Sequence, residues 1–302
     1  GPAARPIRQY LDLLHDRAEN DTAHLTIGAG PFETFLSADL LSKADLLWQR
    51  AEASVANDAE KWQRVRTGRM SLDYVFLERA RAMGQGLFKI DHKRYRLTPD
   101  STFRARASRF QETAAKTGLT HVREGGANYA GWKSQLDSLM RLDKVTDLIP
   151  KPALQPGPLQ PGLEFIYLER SFERIPDFAR ESAVKTGVAD EIDLRYAGRP
   201  VDFAMKFSGY IRVPANGIYC FSMRSNDGAR LYIGDDLVVD NEHLYGVRES
   251  CGYAALQAGL YPITVTFFQQ QGGRLLDLFW QGPEMERRPI PANALFHSQE
   301  RR

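Results

Sequence analysis

Residues 148–162, LIPKPALQPGPLQPG, hold five prolines and two glycines. Proline fixes φ and removes a backbone donor, so no helix runs through this stretch. It predicts an extended, semi-rigid linker rather than a ligand for a proline-reading partner. The hydrophobic period changes across it. Upstream, apolar residues recur at helical spacing; downstream, they alternate. A chain divided in this way is expected to form two units of different class. The first is an N-terminal all-α helical bundle over residues 1–147, and the second a C-terminal antiparallel β-sandwich over 163–302. The length of 302 residues suits two domains, each with its own core.

The first half reads as five helices. In AARPIRQYLDLLHDRAEN, Ile7, Tyr10, Leu11 and Leu14 share a face, and Pro6 fits the first turn. HLTIG, from His24, is a brief extended connection. Ser37 is the expected N-cap of a second helix whose stripe is Leu40, Leu41, Ala44, Leu47, Ala51 and Val55. Asp58 opens a third, with Leu72, Val75 and Phe76 on its inner face and Gly68 as a candidate interruption. GQGLFKIDHKRYRLT, residues 84–98, alternates enough for a short strand or hairpin. STFRARASRFQETAAKTG and NYAGWKSQLDSLMRLDKV complete the bundle.

Several function classes are excluded by what these residues are. A formal net charge of +2 without a Lys/Arg block argues against a nucleic-acid partner. No apolar run approaches the roughly 18 residues of a membrane span, and no signal peptide is visible. The opening GPAARPIRQY reads as the start of a fragment of a longer protein. Two cysteines, Cys220 and Cys251, cannot cage zinc alone. A single disulfide and two free thiols are both open readings. His15, His24, His92 and His121 are scattered, with no HExxH spacing. Phosphate loops and nucleophile elbows are missing too. No catalytic residue is therefore assigned, and an activity of this chain itself is not expected.

After the prolines come FAMKFSGYIRV, GIYCFSMRS, ARLYIGDDLVVDN, YPITVTFFQQQ and LLDLFWQG, all with strand periodicity. Within them SNDGARLYIGDDLVVDN gathers three acidic or amide pairs. Leu231–Ile233 and Leu237–Val239 read as hairpin strands around Gly234-Asp235-Asp236, where a solvated turn is the favoured reading. Asn226-Asp227-Gly228 links two strands. It is either an Asx-turn with a glycine for the reversal or two oxygen-bearing side chains of a site for a hard cation, which wants 6–8 oxygens.

The order GYIRVPANGIYCFSMRSNDGARLYIGDDLVVDN, then AALQAGLYPITVTFFQQQGGRLLDLFWQGP, resembles the PA-fourteen domain, the β-sandwich of the anthrax protective-antigen type. The pieces that carry the resemblance are Gly217, Tyr219 and Phe221; Asp227-Gly228; Arg230 to Ile233; Asp240-Asn241; Ala258-Gly259 with Tyr261-Pro262; and Gly272-Gly273 ahead of a strand ending in Trp280. It covers about Leu163 to Phe296. The resemblance implies carbohydrate binding or adhesion, with a glycan or polysaccharide as partner. In sugar-binding adhesin members, two adjacent aspartates joined by a cis peptide hold calcium with an Asn from a later loop, and the calcium binds sugar hydroxyls. Those positions fall on Asn226, Asp227 and, by register, about Gln270. Asn226 replaces an aspartate and removes one formal charge, which weakens the case for calcium. Gly228 and Gly272 belong to the same loop face, and His243 and Tyr245 are candidate sugar contacts. Their alternative roles are an exposed loop histidine and a tyrosine packed over the end of the sandwich.

The helical half, Gly1 to about Asp147, resembles the helical C-terminal region of α-glucuronidase-like secreted bacterial glycoside hydrolases. The resemblance lies in GPAARPIRQYLDLLHDRAE, LLSKADLLWQRAEASVANDAEKWQRVRTGRMSLDYVFLERARAM and TGLTHVREGG. It implies an upstream catalytic barrel as a partner in the same protein, and a secreted, periplasmic or cell-surface location. Arg66, Arg69 and Tyr74 are candidates to face that barrel. Two function readings follow. One is a non-catalytic carbohydrate-binding accessory fragment; the other is a structural or protein-interaction module that docks domains without sugar.

Overall fold

The computed structural model describes residues 1–20, 30–33, 35–122, 128–244 and 246–299. The HLTIG connection lies outside them, as does part of TGLTHVREGG. The described chain divides into two compact units. One comprises Gly1–Arg81, Gln85–Leu87 and Pro99–Asp143; the other, Ala82–Gly84, Phe88–Thr98 and Lys144–Arg302.

Five helices make the first unit: α1 (Ala4–Asn20), α2 (Ala38–Ser54), α3 (Ala59–Met83, whose last residues count with the second unit), α4 (Ser101–Thr117) and α5 (Tyr129–Met140). Their starts follow local chemistry. The Ser37 hydroxyl accepts from the Leu40 N–H at 3.3 Å, and Asp58 Oδ1 accepts from Lys61 N–H at 3.0 Å. Asp100 and Asn128 cap α4 and α5 in the same way, each satisfying a donor that the first turn leaves unpaired. Gly118, at φ 66°, ends α4 in the left-handed conformation that glycine tolerates. On α2 the buried stripe is Leu40, Leu41, Ala44, Trp48 and Ala51. Trp48 takes the place expected of Leu47, which is only half-buried. Gly68 does not interrupt α3. A Cβ there would lie 2.8 Å from Trp48 Cη2, so the glycine admits the indole.

The bundle also encloses charge. Arg69 is 2% exposed and Asp73 1%. Arg69 meets Asp45 at 2.5 Å and Glu52 at 2.8 Å; Arg106 bridges Asp45 and Asp73; Arg109 binds Asp73 through two nitrogens. Arg66 is buried too and pairs with Glu112 at 3.1 Å, while the Tyr74 ring packs on Trp132. Arg66 and Arg69 are thus committed inside their own unit, which corrects the expectation that they face an absent barrel. Charges removed from water must find partners, and helix periodicity cannot show that these had.

Among the described residues there are fifteen strands: β1 (Phe88–Asp91), β2 (Arg96–Pro99), β3 (Thr146–Asp147), β4 (Leu159–Pro161), β5 (Leu163–Leu168), β6 (Lys185–Ala189), β7 (Phe203–Val213), β8 (Gly217–Asn226), β9 (Ala229–Ile233), β10 (Asp236–Asn241), β11 (Arg248–Leu256), β12 (Gly259–Gln269), β13 (Leu275–Gly282), β14 (Met285–Pro289) and β15 (Leu295–Ser298). An eight-stranded sheet runs β10-β9-β12-β7-β15-β4, with β5 also on β7 and β6 on β5. A four-stranded sheet, β11-β8-β13-β14, forms the other layer. Their inward rows, including Phe203, Phe207, Tyr219, Phe221, Leu231, Val265, Phe267 and Trp280, make one apolar core. Side chains of this size each stabilise by roughly 1.5–3 kcal/mol when fully buried.

The β1–β2 hairpin counts with this unit although its sequence lies among the helices. Leu97, Phe88 and Ile90 pack with Ile218, Ala255 and Tyr253, and His92 Nδ1 accepts from the Ile218 N–H at 3.3 Å. The proline-rich stretch is extended, as its composition dictates, and is laid against the β unit. Lys151 N–H donates to Ala255 O, Leu154 N–H donates to Leu260 O, and β4 pairs with β15. Both cysteines are free thiols. Cys220 faces Tyr253 across β8 and β11, and Cys251 faces Ser222.

Candidate functional site

β8 and β9 are joined by Asp227 and Gly228 alone, and the Asn226–Asp227 peptide is cis. The connection is anchored from below. Ser225 Oγ donates to Asp227 O at 2.7 Å and accepts from Asn241 Nδ2 at 2.8 Å. Ser250 Oγ donates to Asn241 Oδ1, and Asn241 Nδ2 also reaches Arg248 O. Asp240-Asn241 therefore supports the loop from β10. Gly228 is not at a positive φ. It is glycine because a Cβ would fall inside the Phe268 ring edge and 3.2 Å from Glu242 Cα and His243 N.

The loop after β12 closes over this connection. Asp227 is 0% exposed, and its Oδ2 accepts from the Gln270 N–H at 2.9 Å. Asn226 Nδ2 donates to Gly273 O at 2.5 Å. Asn226 Oδ1 is sealed from solvent and has no hydrogen-bond partner. Gln269, 0% exposed, leaves Oε1 unpaired in the same way while Nε2 donates to Gln271 O. Gly272, at φ 84°, turns the exposed tip. Next to it Asp202 N–H donates to Gln270 O, and Gln271 Nε2 donates to Asp202 Oδ2 at 3.0 Å. Arg199 Nη2 donates to Asp202 O, and its Nε has no partner.

The structure thus brings together Asn226, Asp227, Gly228, Gln270 and Gly272. His243 is placed differently. It is 9% exposed, with Nδ1 2.7 Å from Asn241 O and Nε2 2.9 Å from Gly246 O. His243 is held inside its own loop by these two carbonyls, which corrects the alternative reading of an exposed loop histidine. Tyr245 lies outside the described residues. Asp235 and Asp236 sit at the β9–β10 turn, where Gly234 has φ 61° and Asp236 pairs with Lys151 at 2.8 Å.

The side chains of Asn226 and Asp227, an amide and a carboxylate, carry oxygens suited to a hard cation, and the Gln270 backbone N–H binds the carboxylate. Among the described residues no group of three or more His, Cys, Asp or Glu is arranged for a metal. A cation here would depend on amide and backbone oxygens. Gln269, Asp202 and Arg199 were missed from sequence. The run of three glutamines from 269 to 271 was the available signal, but strand phase decides which of them turns inward.

Residues 159–294 match the PA14 (PA-fourteen) domain family. Among solved structures, the PA14 domain of the MpAFP antifreeze protein is 17% identical with a TM-score of 0.42, covering 50% of this chain and 97% of that one. The PA14 sugar-binding domain from an RTX adhesin is 16% identical with a TM-score of 0.39, over 46% and 99% of the two chains. An anti-sigma factor domain-containing protein from Clostridium clariflavum is 21% identical with a TM-score of 0.40, over 47% of this chain and 49% of that one. This chain thus spans about half the length of that relative. No curated protein matches the chain. No helix among the described residues is long and apolar enough to cross a membrane.

Proposed function

We propose that the PA14 domain at residues 159–294 is a saccharide-binding module, and that the sugar is contacted at the loop face formed by Asn226-Asp227-Gly228 and residues 270–274. The observation that supports this most is Asn226 Oδ1. It is a buried oxygen without a partner, beside a fully buried carboxylate, at an end of the sandwich where both loops converge. Leaving such an atom unsatisfied costs about 1–3 kcal/mol, which a ligand or cation recovers.

Calcium is the cation in this proposal. Asn226, Asp227 and the Gln270 side chain would hold it, and once bound it would coordinate sugar hydroxyls. With one carboxylate in the set, affinity belongs at the weak end, on the order of 10⁻⁴–10⁻³ M. The parent protein in this reading is a secreted bacterial glycoside hydrolase with the module as an accessory part; the resemblance of the helical half supports that assignment.

The test is a glycan array with the purified chain, run with calcium and again with chelator. Binding is expected with calcium and lost with chelator, and Asp227→Ala removes it. Binding that survives chelation removes the cation from the reading. A blank array with and without calcium leaves the sandwich as a structural module that docks domains.

A further inference from the structure

We infer that the saccharide taken at this loop face is anionic, bearing a carboxylate or sulfate group that two arginines receive. The inference rests on the reading of the loops as a sugar site. Its observation is separate and concerns the two neighbours of β8. On one side β11 begins at Arg248, which pairs with Ser225; on the other, β13 begins at Leu275, which pairs with Asn226. Arg274 immediately precedes Leu275. Arg248 and Arg274 therefore flank the loop-bearing end of β8 on its two neighbours, two strand spacings across and two residues out of register, or roughly 11–12 Å apart.

Both side chains are exposed, and neither has a hydrogen-bond or ion-pair partner among the described residues. Three other arginines of the same sheets are committed. Arg224 pairs with Asp277, Arg230 with Asp240 and Glu242, and Arg287 with Glu249. The acidic groups at the loop end are engaged as well. Asp227 accepts from Gln270, Asp202 accepts from Gln271, and Glu242 holds Arg230 and the Ile175 N–H. Arg248 and Arg274 thus have no carboxylate ion-paired to them among the described residues. A guanidinium binds a planar carboxylate or a sulfate by paired charge-assisted hydrogen bonds, and a neutral hydroxyl much less strongly.

The experiment titrates the full chain with trigalacturonate, with its methyl ester, and with a sulfated heparin-type tetrasaccharide. The methyl ester keeps the sugar and removes the charge. An anionic probe is expected to bind at least about tenfold more tightly than the ester, with affinity that falls as salt is raised. Whichever anionic probe is preferred identifies the group received. R248Q and R274Q are exposed changes that leave the fold intact, and each is expected to lower affinity about fivefold. Equal binding of ester and acid, or anionic binding indifferent to both substitutions, overturns the inference. If such binding is still lost in Asp227→Ala, the sugar site itself stands. Failure of all three probes, together with a blank neutral array, removes the site and the inference together.

Discussion

Replacing Gly228 by alanine tests whether the site loop is locked to the core beneath it. The new methyl would enter the space of Phe268 Cε1 and press within 3.2 Å of the Glu242 and His243 backbone. Phe268 cannot swing away, because it is fully buried among Leu168, Phe172, Phe178 and Ala204. Its own N–H donates to Gly228 O at 2.9 Å, which holds the two backbones together. Overpacking of this kind costs about 1–3 kcal/mol. A loss of 2 kcal/mol corresponds to a fall of roughly 4–8 °C in the Tm of a unit of this size. Thermal unfolding, followed by the aromatic signal, is the assay. The cost should shrink by at least about 1 kcal/mol on a Phe268→Leu background, because neighbours in contact are coupled. A Tm unchanged within a degree, or a cost equal on both backgrounds, would show that the loop moves independently of Phe268.

Two further outcomes follow from the geometry. Asp73→Asn keeps the volume but leaves Arg69, Arg106 and Arg109 short of a charge inside the bundle; a loss of about 3–5 kcal/mol in urea unfolding is expected, and less than 1 kcal/mol would refute it. Burial holds the His92 pKa below its ordinary value, and Nδ1 must stay unprotonated to accept from Ile218. Since the folded pKa is depressed, the unfolded chain takes up protons first as pH falls. The stability contributed by His92 is therefore present above about pH 6.5 and is lost as pH falls through that value towards the folded pKa. Tm measured from neutral to mildly acidic pH should drop, and His92→Gln should flatten the drop.

Much of the fold was legible where the local signal and the tertiary outcome agree. Ser37 caps α2, FAMKFSGYIRV is β7 residue for residue, and the Gly234 turn joins two strands in the predicted place. β6 and β11 gave no such signal. β6 is exposed over four of its five residues, and β11 has four half-buried positions in a row, so neither shows a period of two. The Asn226-Asp227 loop was readable from residue types and resemblance. Its support was not. Ser225, Asn241 and Ser250 meet only because β8, β10 and β11 converge at that end. The flanking of β8 by Arg248 and Arg274 depends on register, which no single strand encodes. The fate of His243 depended on carbonyl groups that sequence does not display.

The β1–β2 hairpin has a consequence for the order in which the protein comes into being. A ribosome releases Phe88–Thr98 long before it makes Ile218, Tyr253 and Ala255, the residues that cover it. For that interval Phe88, Ile90 and Leu97 lack the sandwich residues they pack on. His92 and Ile218 stand 126 positions apart. Contacts of such sequence separation form slowly, because a long loop must close before they reward it. The nascent chain therefore carries an open apolar hairpin while the 120 residues from Pro99 to Ile218 are made. The β unit is completed last by a piece that was made early.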